Sequence, residues 1–366
     1  MQLNDLQRQY AAYQPEIDRT MQRVVQSGNF TGGHEVEFLE QELSAYTGAK
    51  HSIACSSGTD ALLLALLALD LQPGEEVIVP AFGPISQVNM VRLLSATPVF
   101  VDVSPIDFNI AIEKIEPKIT SRTKAIIAVS LFGQCADIDT INTIAEKHGI
   151  WVIEDASQSF GAEVNGHKSG AITHLATTSF SPGKPLGAFG NAGAVFTSNN
   201  ELAEKVRVLL NHGQTLRYHY KFIGLNARMD SLQAAVLRVK LKHLDEELQA
   251  RNQVANHYKA LLPEGLLLPE IVPGRKSSWS QFTVGLANRD AARTYLENKS
   301  IPTAVHYPMP LPQQESLADI AVPGEMFEVS ELLSATVLSL PVHAFLQTNE
   351  IEYIAQTLNN FLSHEG

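Results

Sequence analysis

Lys124-Ala125-Ile126-Ile127-Ala128-Val129-Ser130 and Trp151-Val152-Ile153-Glu154-Asp155 are apolar runs flanking Asp137–His148, where apolar residues recur at helical spacing. Neither run alternates apolar with polar residues, so both read as strands buried on two faces. Two such strands joined by a helix make the β-α-β unit of a parallel sheet. Working outward, His51–Cys55 reads as a strand before a helix at Thr59–Leu69, and Glu76–Pro80 as a strand before a helix at Gln87–Leu94. Pro98–Val103 adds a further strand. The fold class is therefore α/β, with a mostly parallel central sheet covered by helices. In such sheets ligands bind beyond the carboxyl ends of the strands, so the residues just after each run come under scrutiny.

From Asn199 the pattern turns helical. Glu201–Asn211 and Asp230–Leu262 read as helices, the second long enough to bridge two domains. A smaller α+β unit follows, with a strand near Gln281–Gly285 and helices at Arg289–Lys299 and Glu350–Leu362. The expected division is a large domain over 1–247 and a small C-terminal domain over 248–366.

A length of 366 residues suits that division, and 45% hydrophobic content is ordinary for a globular chain. A net charge of −12 disfavours nucleic acid polymer and anionic membrane surfaces as partners. Two cysteines, Cys55 and Cys135, exclude a disulfide framework and a four-thiolate zinc site. His51, His148 and His174 lack ligand spacing, so no metal is expected. The opening Gln2-Leu3-Asn4-Asp5 is polar, and the longest aliphatic stretch, Ala61 to Leu69, is far below the ~20 residues a membrane span needs. A cytoplasmic location is the expectation.

Two common nucleotide signatures are missing: no G-x-G-x-x-G follows the first strand, and no G-x-x-x-x-G-K-[ST] occurs. Three other motifs stand at strand ends. Ser56-Ser57-Gly58-Thr59-Asp60 lies between strand and helix, where successive N–H groups either cradle a phosphate or receive a simple cap from Ser57 or Thr59. Glu154-Asp155 ends an apolar strand, where a carboxylate either holds a proton on a heterocyclic nitrogen or caps a turn. Thr178-Ser179-Phe180-Ser181-Pro182-Gly183-Lys184-Pro185-Leu186-Gly187 sets a lysine on a rigid loop, and a buried lysine of lowered pKa is an amine nucleophile toward aldehydes. Phosphate, ring nitrogen and aldehyde are the three groups of pyridoxal 5'-phosphate that each need a partner.

The order and spacing of these motifs resemble the sugar aminotransferases of the DegT/DnrJ/EryC1/StrS family, over nearly the whole chain. The resemblance is carried by Ser57–Leu62, Pro73–Pro80, Ile153–Gln158, Gly183–Gly187, Gly224–Asp230 and His306–Pro310. It implies the aspartate-aminotransferase architecture (PLP fold type I). It also implies Lys184 as the Schiff-base residue, Asp155 as partner of the pyridine nitrogen and Gln158 near the phenolic oxygen. Gly58, Thr59 and Ser179 are implied as phosphate ligands, joined by Asn226 from the partner subunit. Arg228, also from the partner, and His306 with Tyr307 are implied to face the sugar. A homodimer with shared active sites follows, taking glutamate as amino donor and a keto nucleotide sugar as acceptor. Val129–Asp137, Arg217–Tyr220 and Pro302–Pro308 look most like the branch acting on UDP-2-acetamido-2-deoxy-3-oxo-hexuronates for surface polysaccharide and lipopolysaccharide. The dTDP-3-keto-6-deoxyhexose and 4-keto branches are the alternatives.

Two positions depart from the family pattern. Phe82-Gly83-Pro84-Ile85 puts Pro84 where the resemblance implies an aromatic residue over the cofactor ring, and Asn191-Ala192-Gly193 replaces the commoner Asp-Gly-Gly. Two other functions compete. The family's dehydratases carry His in place of the lysine, which Lys184 opposes. A non-catalytic regulator would need a basic recognition helix, and none is visible. Between Lys205 and Met229 no acid occurs, while Lys205, Arg207, Arg217, Lys221 and Arg228 are basic, a local field suited to a diphosphate.

Overall fold

The computed structural model describes residues 1–320 and 324–365. Two helices open the chain, α1 (Leu6–Ser27) and α2 (His34–Thr47). The Asp5 carboxylate accepts from Arg8 N–H to start α1, and Gly28 and Gly48 end the two helices in the left-handed conformation that glycine adopts at least cost. Then come β1 (His51–Cys55), α3 (Gly58–Ala68), β2 (Glu76–Pro80), α4 (Ser86–Leu93), β3 (Thr97–Val101), β4 (Thr123–Val129), α5 (Ile138–His148) and β5 (Trp151–Asp155). The short strands β6 (Glu163–Val164) and β7 (His167–Lys168) precede β8 (Leu175–Ser179), β9 (Gly193–Thr197) and α6 (Asn200–Leu209). A hairpin, β10 (Gln214–Leu216) and β11 (His219–Tyr220), leads to α7 (Ser231–Leu241) and α8 (Leu244–Leu261). The remainder is β12 (Arg275–Lys276), β13 (Phe282–Gly285), α9 (Arg289–Asn298), α10 (Glu328–Thr336), β14 (Val337–Leu340) and α11 (Thr348–Glu365).

The central sheet has seven strands in the order β1-β9-β8-β5-β4-β2-β3. β9 runs antiparallel to both neighbours and the other pairings are parallel, as the apolar runs predict. Alternate residues serve opposite faces: Val77, Val79 and Ile127 join the core beneath α3 and α4, whereas Ile78, Ile126 and Val152 pack with α5. The pairing of β9 with β1 and β8 places the end of β8 and the start of β9 beside the start of α3.

The helical stretch expected over Asp230–Leu262 is two helices, broken at Lys242-His243, where the His243 ring stacks on Tyr13 of α1 at 4.2 Å. Position 247 falls inside α8. Leu244 and Leu248 pack with the sheet-side core, while Val254, Ala255 and Tyr258 pack with β13, β14, α9 and α11. One helix thus serves both cores. No helix among the described residues is long and apolar enough to cross a membrane.

Candidate active site

Strand periodicity separates the two acids at the end of β5. Glu154 is fully buried on one face, where Ser130 Oγ (2.9 Å), Ser169 Oγ (2.6 Å) and Gly170 N–H (2.8 Å) donate to its carboxylate, and burial raises its pKa. Asp155 lies on the other face, 4% exposed, with Ser157 N–H donating to Oδ1 at 3.0 Å. That turn-capping bond leaves Oδ2 uncommitted. Three residues on, Gln158 is held at both ends. Its Oε1 accepts from Phe132 N–H (2.9 Å) and its Nε2 donates to the Tyr307 hydroxyl (3.1 Å).

Lys184 sits on the loop between β8 and β9. Lys184 N–H donates to Ser181 O (2.9 Å) and Ala188 N–H to Phe180 O (2.8 Å), closing the loop into a compact turn. A Cβ on Gly187 would overlap the Pro182 carbonyl, so only glycine fits there. Burial lowers the Lys184 pKa, and the charge of Asp155 partly opposes the shift. The result is an amine easier to deprotonate than a surface lysine, set near a carboxylate. Beneath the loop, Lys240 of α7 donates to Gly187 O at 2.7 Å from a site 2% exposed.

The start of α3 forms the third part. Ser57 Oγ accepts from Asp60 N–H (3.1 Å) as the helix cap, so the capping role is real. Gly58 has a separate reason to lack a side chain: a Cβ there would come within 2.5 Å of Ser179 Cβ. A Cβ on Gly193 would likewise overlap the Ser57 carbonyl, which accounts for the last residue of Asn191-Ala192-Gly193. Gly58, Ser179 and the first N–H groups of α3 therefore converge in one cradle, with Thr59 exposed at its edge.

From the C-terminal side, Tyr307 reaches Gln158, and His306 Nδ1 lies 3.0 Å from Ser339 Oγ of β14. Burial, then the charge of Lys184, lowers the His306 pKa; burial pushes the Tyr307 phenol up to about 12. Both rings are neutral near pH 7. Phe82 is buried edge-on to Tyr307 (6.0 Å) and Phe132 (6.4 Å), while Pro84 is half-buried beyond the end of β2. Asn226 and Arg228 are exposed and hydrogen-bonded to each other at 3.4 Å. Their backbone lies against the end of β1, through Ser56 N–H to Ala227 O (2.8 Å), and no hydrogen bond among the described residues joins either side chain to Lys184. The fold thus brings together Lys184, Asp155, Gln158, Gly58, Ser179, His306 and Tyr307, and leaves Asn226 and Arg228 on the outside. Sequence reasoning missed Asn4, Ser280, Gln281 and Ser339, which line a cavity with Lys184 and His306.

A cradle that any Cβ would fill, a buried carboxylate and a lysine of lowered pKa fit the phosphate, ring nitrogen and aldehyde of pyridoxal phosphate. The model of the DegT/DnrJ/EryC1/StrS aminotransferase family matches residues 12–359. The chain belongs to this family. It is a pyridoxal-phosphate-dependent aminotransferase. It is 44% identical, over 97% of its length and 99% of the relative's, to the UDP-2-acetamido-2-deoxy-3-oxo-D-glucuronate aminotransferase of Pseudomonas aeruginosa. A DegT/DnrJ/EryC1/StrS aminotransferase from Brucella abortus superimposes with a TM-score of 0.96 at 38% identity, covering 99% of each chain. A Bacillus subtilis structure with bound cofactor PMP does so with a TM-score of 0.90 at 33% identity, covering 96% of this aminotransferase and 82% of that chain.

Proposed function

We propose that this aminotransferase moves an amino group from glutamate to C3 of a UDP-linked 3-keto sugar, a 2-acetamido-2-deoxy-3-oxo-hexuronate, for surface polysaccharide. The observation that carries the chemistry is the meeting at the strand ends of Lys184, Asp155 and the cradle formed by Gly58 and Ser179, with desolvation lowering the Lys184 pKa. The sugar class rests on the 44% identity to the Pseudomonas enzyme named for that substrate. Pyridoxal phosphate, when bound, supplies the aldehyde that receives the amino group and the electron sink for the carbanion at the donor's α-carbon.

The chain's residues do the rest. Asp155 Oδ2, free of the Ser157 bond, holds a proton on the ring nitrogen. Gly58, Thr59 and Ser179 bind the phosphate, and Gln158 lies by the phenolic oxygen, steadied by Phe132 and Tyr307. Lys184 Nζ, whose pKa burial lowers, takes the proton from the donor's α-carbon and returns it one atom away. His306 and Tyr307, both uncharged, face the sugar.

The enzyme works as a homodimer in which Asn226 completes the partner's phosphate site and Arg228 faces the partner's sugar. Leu216, Tyr218, Tyr220 and Ile223 support this arrangement, because the segment leading to Asn226 exposes these large apolar side chains, which a second copy would cover. Incubation with glutamate and a panel of UDP- and dTDP-linked 3-keto and 4-keto sugars tests the reading. A 3-amino UDP-sugar is the expected product. Formation of 4-amino sugars alone would overturn it.

A further inference from the structure

Between the N-terminal segment, the Lys184 loop and β14 lies a cavity of about 210 Å³. Its polar lining includes Asn4, Lys184, Ser280, Gln281 and His306, with no carboxylate among the residues that form it. We propose that this cavity is the subsite of the amino donor, and that Asn4, Ser280 and Gln281 hold the donor's carboxylate. The inference rests on the glutamate reading above and deepens it.

Size argues first. At roughly 30 Å³ per water the cavity holds about seven waters' worth of ligand, enough for an amino acid. A sugar joined to a nucleoside diphosphate needs a site of several hundred Å³, so its nucleotide must extend beyond this cavity, toward Arg228. Hydrogen bonding argues second. Asn4 Oδ1, Ser280 Oγ and Gln281 Oε1 are buried without a partner among the described residues. The bond from Asn4 Nδ2 to Gly183 O is long, at 3.4 Å, so the amide is loosely held. The Ser280 hydroxyl can donate to a carboxylate as it stands, and each amide does so once turned over, with its N–H where its unpartnered oxygen lay. With no acid in the wall, a carboxylate is the end of the ligand that meets no repulsion.

Construction argues third. Asn4 directly precedes the Asp5 cap of α1, and Arg8 grips Glu350 of α11 with two bonds of 2.7 and 2.8 Å. This fixes the N-terminal segment across the Lys184 loop and onto the C-terminal unit. His306, tied through Nδ1 to Ser339, keeps Nε2 available on the same wall.

The two half-reactions separate the proposal from its alternatives. Glutamate is titrated into the yellow holoenzyme and loss of the visible band is followed; the aminated enzyme is then titrated with the keto sugar. Asn4→Leu and Gln281→Leu should raise the half-saturating glutamate concentration about ten-fold, and the isosteric Asn4→Asp, which sets a like charge against the carboxylate, about 100-fold. Sugar saturation should move at least ten-fold less than glutamate saturation in each variant. Calorimetric binding of 2-methylglutamate, which has no α-proton to lose, should weaken in parallel, and unchanged melting temperatures exclude misfolding. Equal losses in both half-reactions, or unshifted glutamate saturation in all three variants, would overturn the subsite. A wild-type enzyme that ignores glutamate but is bleached by another amino acid would overturn the donor reading instead, and the variants are then scored against that amino acid.

Discussion

Two regions of the molecule are built to opposite rules. At the strand ends, Asp155 and Gln158 are each 4% exposed, and each has its hydrogen-bond partners within the same chain. In the segment from β10 to Arg228, Tyr218 is 72% exposed and Ile223 94%, with apolar surface facing outward. In the first region Lys184, His306 and Tyr307 gain their pKa shifts from burial they already have. The second gains little until another surface covers it. The buried residues around Lys184 are thus positioned by one chain, whereas the proposed sugar contact of Arg228 would need a second.

The sharpest way to break this contrast is Lys184→Ala. Turnover should fall by about 10⁴-fold or more, since both the nucleophile and the proton carrier are lost. The yellow band should be absent, while the oligomeric state seen by light scattering stays that of wild type. A band that survives would remove Lys184 from the chemistry. Asp155→Asn comes next, with kcat down about 10²–10³-fold, the cost of one preorganised charge at the reacting centre. Its saturation by the nucleotide sugar should change far less, because the recognition surface is untouched. A loss confined to sugar saturation would contradict the division of labour.

The interior was legible in the sequence where one chain segment is enough to determine it. Val77-Ile78-Val79 and Trp151-Val152-Ile153 are apolar on both faces because both faces are covered, and no tertiary knowledge is needed to see that. The Lys184 loop announces itself through Gly and Pro. Other features fail for physical reasons. The buried face of α1 includes Gln9 and Thr20, and Pro15 stands inside the helix, so apolar periodicity understates it. Gln9 is inside because Glu247 of α8 accepts both its bonds, at 2.9 Å each. Asn4, Ser280 and Gln281 meet only because α1 is anchored to α11, and no local pattern encodes such a meeting. No local pattern explains Gly193; its reason is the Ser57 carbonyl brought beside it by β9 pairing with β1.

Lys240 sharpens the contrast from the buried side. Its ammonium lies under the Lys184 loop, facing Gly187 O and the Phe189 ring, with Glu247 of α8 the nearby opposite charge. Burial lowers its pKa to about 8 from the model-compound 10.5, and Glu247 only partly offsets this. Between those two pH values the unfolded chain holds a proton that the folded chain lacks, so stability rises with pH across that window. Lys240→Met has no such rise. Its stability advantage over wild type should therefore be largest near pH 7 and shrink by about 3 kcal/mol by pH 10.5. Urea unfolding at the two pH values measures the difference. A gap that widens with pH would mean the charged bond to Gly187 outweighs the burial penalty.

The smallest expected effect tests the outer region alone. Arg228 is exposed, bonds only weakly to Asn226, and has no part in the buried array of its own chain. If it faces the partner's sugar, its guanidinium meets a carboxylate or diphosphate there, where a charge-assisted bond at a partly wet interface is worth about 1.5 kcal/mol, or roughly ten-fold in saturation. Arg228→Ala should raise the KM for the keto sugar by that factor and weaken it further as salt rises, because the remaining bases of the acid-free stretch then act alone. The glutamate half-reaction, followed by bleaching of the yellow band, should change less than two-fold. A mixed dimer decides whose site Arg228 serves. When inactive Lys184→Ala subunits with intact Arg228 are paired with Arg228→Ala subunits that keep Lys184, each working lysine faces a normal arginine across the interface. Sugar saturation should then return to the wild-type value. If it stays ten-fold weak, Arg228 acts within its own chain, and the contrast between a self-sufficient interior and a shared exterior fails.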